Sequence, residues 1–363
     1  MKTANIDRVE AAAYKIPTDG PEADGTLSWN STTIIVVRLY AAGERGIGYS
    51  YGHASAARLI DSKLAAIVKG RDAMAVTGAA EAMARAVRNL GRRGLVSMAI
   101  SAVDTALWDL KARCLGLPLF SLLGSVRQAV PIYGSGGFTS YTVERLQSQL
   151  AGWVGAGIGR VKMKVGSQPA ADLERVRAAR EAIGSEAELF VDANGAYDRK
   201  QALAKAEAFY RYGVRWFEEP VSSDDLAGLR LMRDRAPAGM EVTAGEYGYD
   251  LHYFRRMLEA EAVDVLQPDA TRCGGISGFM QAGALCQAYG LPLSAHTAPS
   301  IHVHPCCALA KARHIEYFHD HVRIESLLFD GAPSPVEGCL RPDPSRPGLG
   351  LELKDDEAAR YAV

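Results

Sequence analysis

The sequence predicts an α/β fold, a parallel β/α barrel of TIM type that follows an α+β unit. Two observations carry this. From Ala129 onward, strand-like apolar runs begin near Val130, Val161, Leu189, Trp216, Val242, Val263, Pro292 and Ile315, most of them separated by helical patterns such as 172–183, 200–212 and 224–235. Eight strands alternating with seven helices suit a closed barrel. In addition, no G-x-G-x-x-G turn follows the first of these strands, as a doubly wound nucleotide-binding sheet would require.

Ahead of the barrel, strands are expected from Ile6 to Tyr14, Thr32 to Leu39 and Gly46 to Tyr51. The polar Gly/Pro stretch 18–25 between the first two reads as a mobile loop. Helical patterns follow at 55–68 and 73–90. Residues 96–114 place Ile100, Val103, Leu107 and Leu110 on one face before Leu117-Pro118 ends the run. The expected organisation is an α+β domain over 1–125, a barrel over 126–322, and a Pro- and Gly-rich segment over 323–363 that returns to the first domain.

Composition narrows the function. The chain has 363 residues, 48% hydrophobic and 23% charged, with 41 Lys and Arg against 42 Asp and Glu. That balance supplies no basic field for nucleic acid. No stretch is long and apolar enough to span a membrane, and residues 1–8 lack the apolar core of a leader peptide. Cys114, Cys273, Cys286, Cys306, Cys307 and Cys339 show no C-x-x-C spacing, which suits reduced thiols in a cytoplasmic protein.

The strand ends hold the chemistry. Asp192, Glu218 and Glu246 each close a short apolar run, 26 and 28 residues apart. Strand ends of a parallel barrel converge on one face, so these acids stand side by side. Three unpaired carboxylates repel one another and call for a hard divalent cation, Mg²⁺ first. Lys162 and Lys164 lie at i and i+2 on the preceding strand and share a face, with Val161, Met163 and Val165 turned toward the helices. Asp269 and His296 end two later runs. Asn194 lies two residues beyond Asp192 and is placed to touch substrate or a ligand.

In combination these motifs resemble the enolase superfamily, and within it the mandelate racemase subgroup. Lys162-Met163-Lys164 is similar to the family's K-x-K, Asp192, Glu218 and Glu246 to its metal ligands, Asp269 with His296 to its Asp–His dyad, and Glu316 to its electrophilic glutamate. The stretch from Ala106 to Gly124 resembles the run into the barrel. The resemblance spans the chain and implies a modified (β/α)7β barrel under an α+β capping domain, usually in a homo-oligomer. It also selects Glu218 over Glu219 as the inward acid, leaving Glu219 as a supporting or helix-side partner.

The resemblance further implies Mg²⁺-assisted removal of the proton α to a carboxylate. Lys164 is the expected base, its pKa pushed down by Lys162 and the ion. Lys162 is expected to hold a substrate carboxylate oxygen, His296 to be a second base or acid oriented by Asp269, and a protonated Glu316 to donate to the other oxygen. An ionic contact of Glu316 with Arg313 or Arg323 is the alternative. Substrate contacts are expected from Trp29, Tyr49, Tyr51 and His53, whose polar groups suit an acid sugar. Dehydration of such a sugar is the first expectation and two-base racemisation or epimerisation the second. Cycloisomerisation is set further off, because relatives of that kind usually carry a lysine opposite. A non-catalytic binding protein on a barrel is the reading from another class. His302-x-His304 and His319-x-His321 have the spacing of a metal-binding strand pair but come late in the chain, and are expected to be structural or rim residues.

Overall fold

The computed structural model describes residues 4–363, so the first three residues of the stretch read for a leader lie outside it. The first unit is a three-stranded antiparallel sheet in the order β1 (Arg8–Ala23), β2 (Ser28–Ala41), β3 (Glu44–Tyr51). The expected loop at 18–25 is instead a long hairpin arm. β1 continues through it by a register shift between Pro17 and Glu22. Asp24 closes the turn, its Oδ1 accepting from the backbone N–H of Thr26 at 2.6 Å and Leu27 at 2.7 Å. A bulge lets Gly20-Pro21 sit within an edge strand without breaking it.

The helix Leu95–Cys114 lies across this sheet. A Cβ on Gly46 would sit 2.5 Å from the Ala106 carbonyl oxygen, and one on Gly48 2.3 Å from the Ala106 nitrogen. Strand and helix backbones touch there, which only glycine permits. The pattern at 55–68 is helical with a wide π turn at Ile60–Leu64, and that at 73–90 narrows to Val76–Ala86 and a 3₁₀ turn at Arg88–Leu90.

Eight parallel strands follow: β4 (Val130–Gly136), β5 (Arg160–Lys164), β6 (Glu188–Asp192), β7 (Val214–Glu218), β8 (Glu241–Ala244), β9 (Val265–Leu266), β10 (Leu293–Ala295) and β11 (Ala312–Phe318). Each pairs with the next, and β11 pairs with β4 to close the barrel. Val161, Met163, Val191, Phe217 and Val242 pack outward with the helices in the main core. Inside, Tyr133, Phe190, Trp216 and Val265 form a separate apolar plug, with Phe190 stacked on Trp216 at 5.0 Å. The plug fills one end and leaves the other for polar side chains.

The last segment touches both units. Cys339–Leu340 adds antiparallel to β4, and Glu352–Leu353 pairs with Phe329–Asp330. Arg45 and Arg113 grip Glu352 at 2.6 and 2.5 Å, and Arg38 reaches Asp355 at 2.7 Å. All six cysteines are free. Among the described residues no helix is long and apolar enough to cross a membrane.

Candidate active site

Register builds the site. In the parallel ladder Lys164 pairs with Asp192, and Asp192 with Glu218. Lateral partners in a parallel sheet point to the same face, so a lysine and two acids enter the barrel mouth at one level. Glu246 joins them from just beyond β8. One carboxylate oxygen from each of Asp192, Glu218 and Glu246 lies within 4.8 Å of the others, and all three residues are buried. Glu218 Oε1 and Glu246 Oε2 have no hydrogen-bond partner. Buried, unsatisfied carboxylate oxygens converging on one point are what a divalent cation needs, and the all-oxygen set fits Mg²⁺.

Lys162 is fully buried beneath them. Its Nζ lies 2.7 Å from Glu218 Oε2, 2.8 Å from Glu316 Oε1 and 3.6 Å from Asp192 Oδ2. It does not line the cavity, so in this geometry it binds the acids together rather than holding a substrate oxygen. Burial pulls its pKa down, but Glu218 and Glu316 outweigh that and hold it well above the ordinary lysine value. Removing one partner of a buried ion pair leaves the other charges unpaired, at about 3–5 kcal/mol. Lys162→Met is therefore expected to destabilise the ion-free protein by about that amount. Urea unfolding with chelator would measure it, and an unchanged midpoint would refute it.

Two expectations about ionisation take another form when no ion is present. Glu316 accepts here rather than donates. Its Oε1 accepts from Ser135 Oγ at 2.5 Å and its Oε2 from the Thr297 N–H at 3.0 Å. Burial raises its pKa, yet Lys162 and then His296 more than reverse this, so the net shift is downward. Neither expected arginine reaches it, since Arg313 pairs with Glu241 and Arg323 with Asp320. The lowered pKa expected for Lys164 includes the ion, and without it the direction is upward. Burial lowers its pKa, but the Asp192 carboxylate in direct contact raises it further. A cation held by Asp192 would compete for that attraction and push the Lys164 pKa down.

On the other side, His296 Nδ1 is 2.9 Å from Asp269 Oδ2. Asp269 is fixed in turn by the Thr271 N–H at 2.7 Å. His296 Nε2 lies 3.3 Å from Glu246 Oε2, in ion-pair range but not aligned for a hydrogen bond. Burial pulls the imidazole pKa down, while Glu246, the Asp269 hydrogen bond and Glu316 together raise it above the usual value.

A cavity of about 340 Å³ joins these groups, lined by Lys164, Glu246, His296 and Glu316 below and by Trp29 and Tyr51 above. Asn194 reaches it from a left-handed turn (φ 47°), with its N–H donated to Asp192 Oδ1 and its Oδ1 unpartnered. His53 is misassigned. It is exposed outside the cavity, and its Nδ1 accepts from the Ser55 N–H at 3.2 Å. Tyr49 shares the face of Tyr51, with ring centroids 5.8 Å apart, but it is fully buried behind it and donates to Glu325 at 2.6 Å. Glu219 does not face the helices. Its positive φ of 40° breaks the strand alternation and turns it into an adjoining cavity of about 490 Å³ that shares Asn194 and Tyr247.

The late histidine pairs lie on helices, where i and i+2 diverge and cannot grip one ion. His302 is structural, accepting the Ala270 N–H at 2.8 Å, and His304 bonds the Leu349 carbonyl. His321, expected to be structural or at the rim, forms a wall of the cavity. It stacks on Tyr51 with ring centroids 3.4 Å apart, and burial pushes its pKa down to about 3. Arg272 was also missed, and it lines the cavity with Nη1 3.3 Å from Glu246 Oε1. Its position three residues past Asp269, in the turn that follows that strand end, was the available signal.

Comparison with known proteins agrees with this architecture. Residues 12–124 match the mandelate racemase / muconate lactonizing enzyme N-terminal domain, and residues 145–358 match the enolase C-terminal domain-like model. A mandelate racemase/muconate lactonizing enzyme-like protein from Rubrobacter xylanophilus is 55% identical, with a TM-score of 0.97 over 99% of this chain and 100% of that one. The 3,6-anhydro-α-L-galactonate cycloisomerase of Streptomyces coelicolor is 32% identical over 99% of both chains. The L-talarate/galactarate dehydratase of Salmonella typhimurium, solved with Mg and L-lyxarohydroxamate, is 29% identical, with a TM-score of 0.91 over 100% of this chain and 94% of that one. The chain belongs to the mandelate racemase/muconate lactonizing enzyme family of the enolase superfamily.

Proposed function

We propose that the protein is an acid-sugar dehydratase that eliminates water from a hydroxylated sugar acid to give a 2-keto-3-deoxy acid. Membership of its family makes it a Mg²⁺-dependent enzyme acting at the carbon α to a carboxylate. The observation that carries the proposal is the pairing, in one polar cavity, of Lys164 with an Asp269-oriented His296. Asp192, Glu218 and Glu246 would hold the ion, which supplies positive charge against the enediolate that proton removal creates.

The chain's own residues do the rest. Lys164 Nζ takes the α-proton. His296 Nε2, protonated once substrate binds, gives a proton to the departing β-hydroxide, and Asp269 fixes the ring through Nδ1. Lys162 and Glu316 keep the floor rigid from below. Asn194 Oδ1 and the buried, unpartnered Tyr51 hydroxyl are free to meet sugar hydroxyls. The adjoining cavity, with Thr26, Ser222, Ser223 and Tyr249, is equally hydroxyl-rich and suits the far end of a long polyol. The working form we infer is a cytoplasmic homo-oligomer with a small-molecule carboxylate substrate and no nucleic-acid partner.

A semicarbazide assay for keto product across mono- and diacid sugars with Mg²⁺ tests the reaction. Turnover of at least one member is expected. If none reacts while simple 2-hydroxy acids are racemised, the two-base racemase replaces it. Cycloisomerisation, set aside in the sequence because of the Asp–His pair, returns as a second reading, since the relative of that name matches over its full length. A keto product isomeric with its substrate, formed from an anhydro or lactone sugar acid without loss of water, would favour it.

A further inference from the structure

One side-chain cluster has no task in the chemistry above. It lies where the arm of the β1–β2 hairpin meets the end of β11. Asp19 and Glu22 stand on β1, and His319 opens the helix His319–Leu328 that follows β11. His319 Nε2 is 2.9 Å from Asp19 Oδ2. One potential ligand atom from each of the three residues lies within 4.8 Å of the other two. Arg145 occupies the other Asp19 oxygen at 3.2 Å, which leaves Oδ2 to the histidine. Glu22 is 0% exposed; Trp29 Nε1 donates to its Oε2 at 2.8 Å, and its Oε1 has no partner. Arg323 donates its Nη2 to the Pro17 carbonyl and to Asp320, and neither bond reaches Glu22; its buried Nε has no partner. A buried carboxylate oxygen without a donor is costly unless a positive group reaches it.

We propose that Asp19, Glu22 and His319 form a second divalent-cation site, distinct from the catalytic one, that takes Zn²⁺ and latches the hairpin onto the barrel. The donor set separates the two sites. Three carboxylates suit Mg²⁺, whereas an imidazole with two carboxylates suits Zn²⁺. Two bonds of about 2.1 Å meeting at the tetrahedral angle separate their ligand atoms by about 3.4 Å. His319 Nε2 and Asp19 Oδ2, hydrogen-bonded at 2.9 Å, would part by about half an ångström to admit the ion. Because the acids come from the capping hairpin and the histidine from the barrel, one ion joins the two elements. Through its bond to Glu22 it also fixes the Trp29 indole, which lines the substrate cavity.

The test uses the full chain saturated with Mg²⁺. Crystals soaked in Zn²⁺ are expected to show an anomalous peak in contact with Asp19, Glu22 and His319. Equilibrium dialysis should find one Zn²⁺ per chain, with affinity at least tenfold lower in His319→Ala and in Glu22→Gln. Retained Mg²⁺ binding in those variants shows that they fold. Zn²⁺ found only at Asp192, Glu218 and Glu246 would overturn the proposal, as would an affinity that His319→Ala leaves unchanged. In either case Asp19 and His319 are a simple ion pair.

Discussion

In D₂O, Lys164→Ala is expected to stop α-proton exchange for one configuration of substrate and His296→Asn for the other, each by at least about 10²-fold. The two groups come from well-separated strands, β5 and the end of β10, yet both line the same cavity. Each has its own orienting carboxylate, Asp192 for the lysine and Asp269 for the histidine. Loss of one therefore leaves the other in place, and the defects separate by configuration rather than summing. Mass spectrometry of recovered substrate reads the result without any assumption about product. Exchange persisting in the double variant would mean that neither group is the base.

The fold was legible because the barrel writes its period into the chain. The predicted strand starts at Val130, Val161, Leu189 and Val242 fall within one residue of the observed ones, since each buried strand is bounded by a helix of opposite periodicity. The hairpin arm was not legible. Gly20-Pro21 signals a loop by local propensity, and only pairing with β2 keeps it extended. Within the site, the convergence of strand ends brought Lys164 and Asp192 to one face, while Glu218 was chosen over Glu219 by the family resemblance and not by spacing. Neither could show that Glu219 turns the same way, because that depends on a positive φ. His53 misled because a polar residue after a strand reads as a substrate contact, whereas here it bonds the start of the next helix. The charge state of Glu316 was hidden for a different reason. Its partner Lys162 lies 154 positions away, and only closure of β11 onto β4 brings the two together.

Chelation is expected to abolish turnover, and Asp192→Asn, Glu218→Gln and Glu246→Gln each to weaken Mg²⁺ binding by tenfold or more. Charge counting gives the reason. Six acids, Asp192, Glu218, Glu219, Glu246, Asp269 and Glu316, meet four cationic groups, Lys162, Lys164, Arg272 and a protonated His296. Fully ionised, that set carries two uncompensated negative charges, which one divalent ion cancels. Without it the protein must shed charge another way. Burial and then Asp192 raise the Glu218 pKa to about 7 despite Lys162, and Glu219 is pushed well above the carboxylate range by burial and by Glu246. An ion must displace the proton on Glu218, so Mg²⁺ affinity should fall as pH drops below about 7 and level off above it. The same linkage makes the ion stabilising, by about 2.7 kcal/mol at a hundredfold excess over its Kd. Titration calorimetry and thermal unfolding at pH 6 and pH 8 would measure both effects. Full activity in excess chelator, or Mn²⁺ density away from these three carboxylates, would refute the assignment. Mg²⁺ affinity equal at the two pH values would instead show that Glu218 is already ionised before the ion arrives.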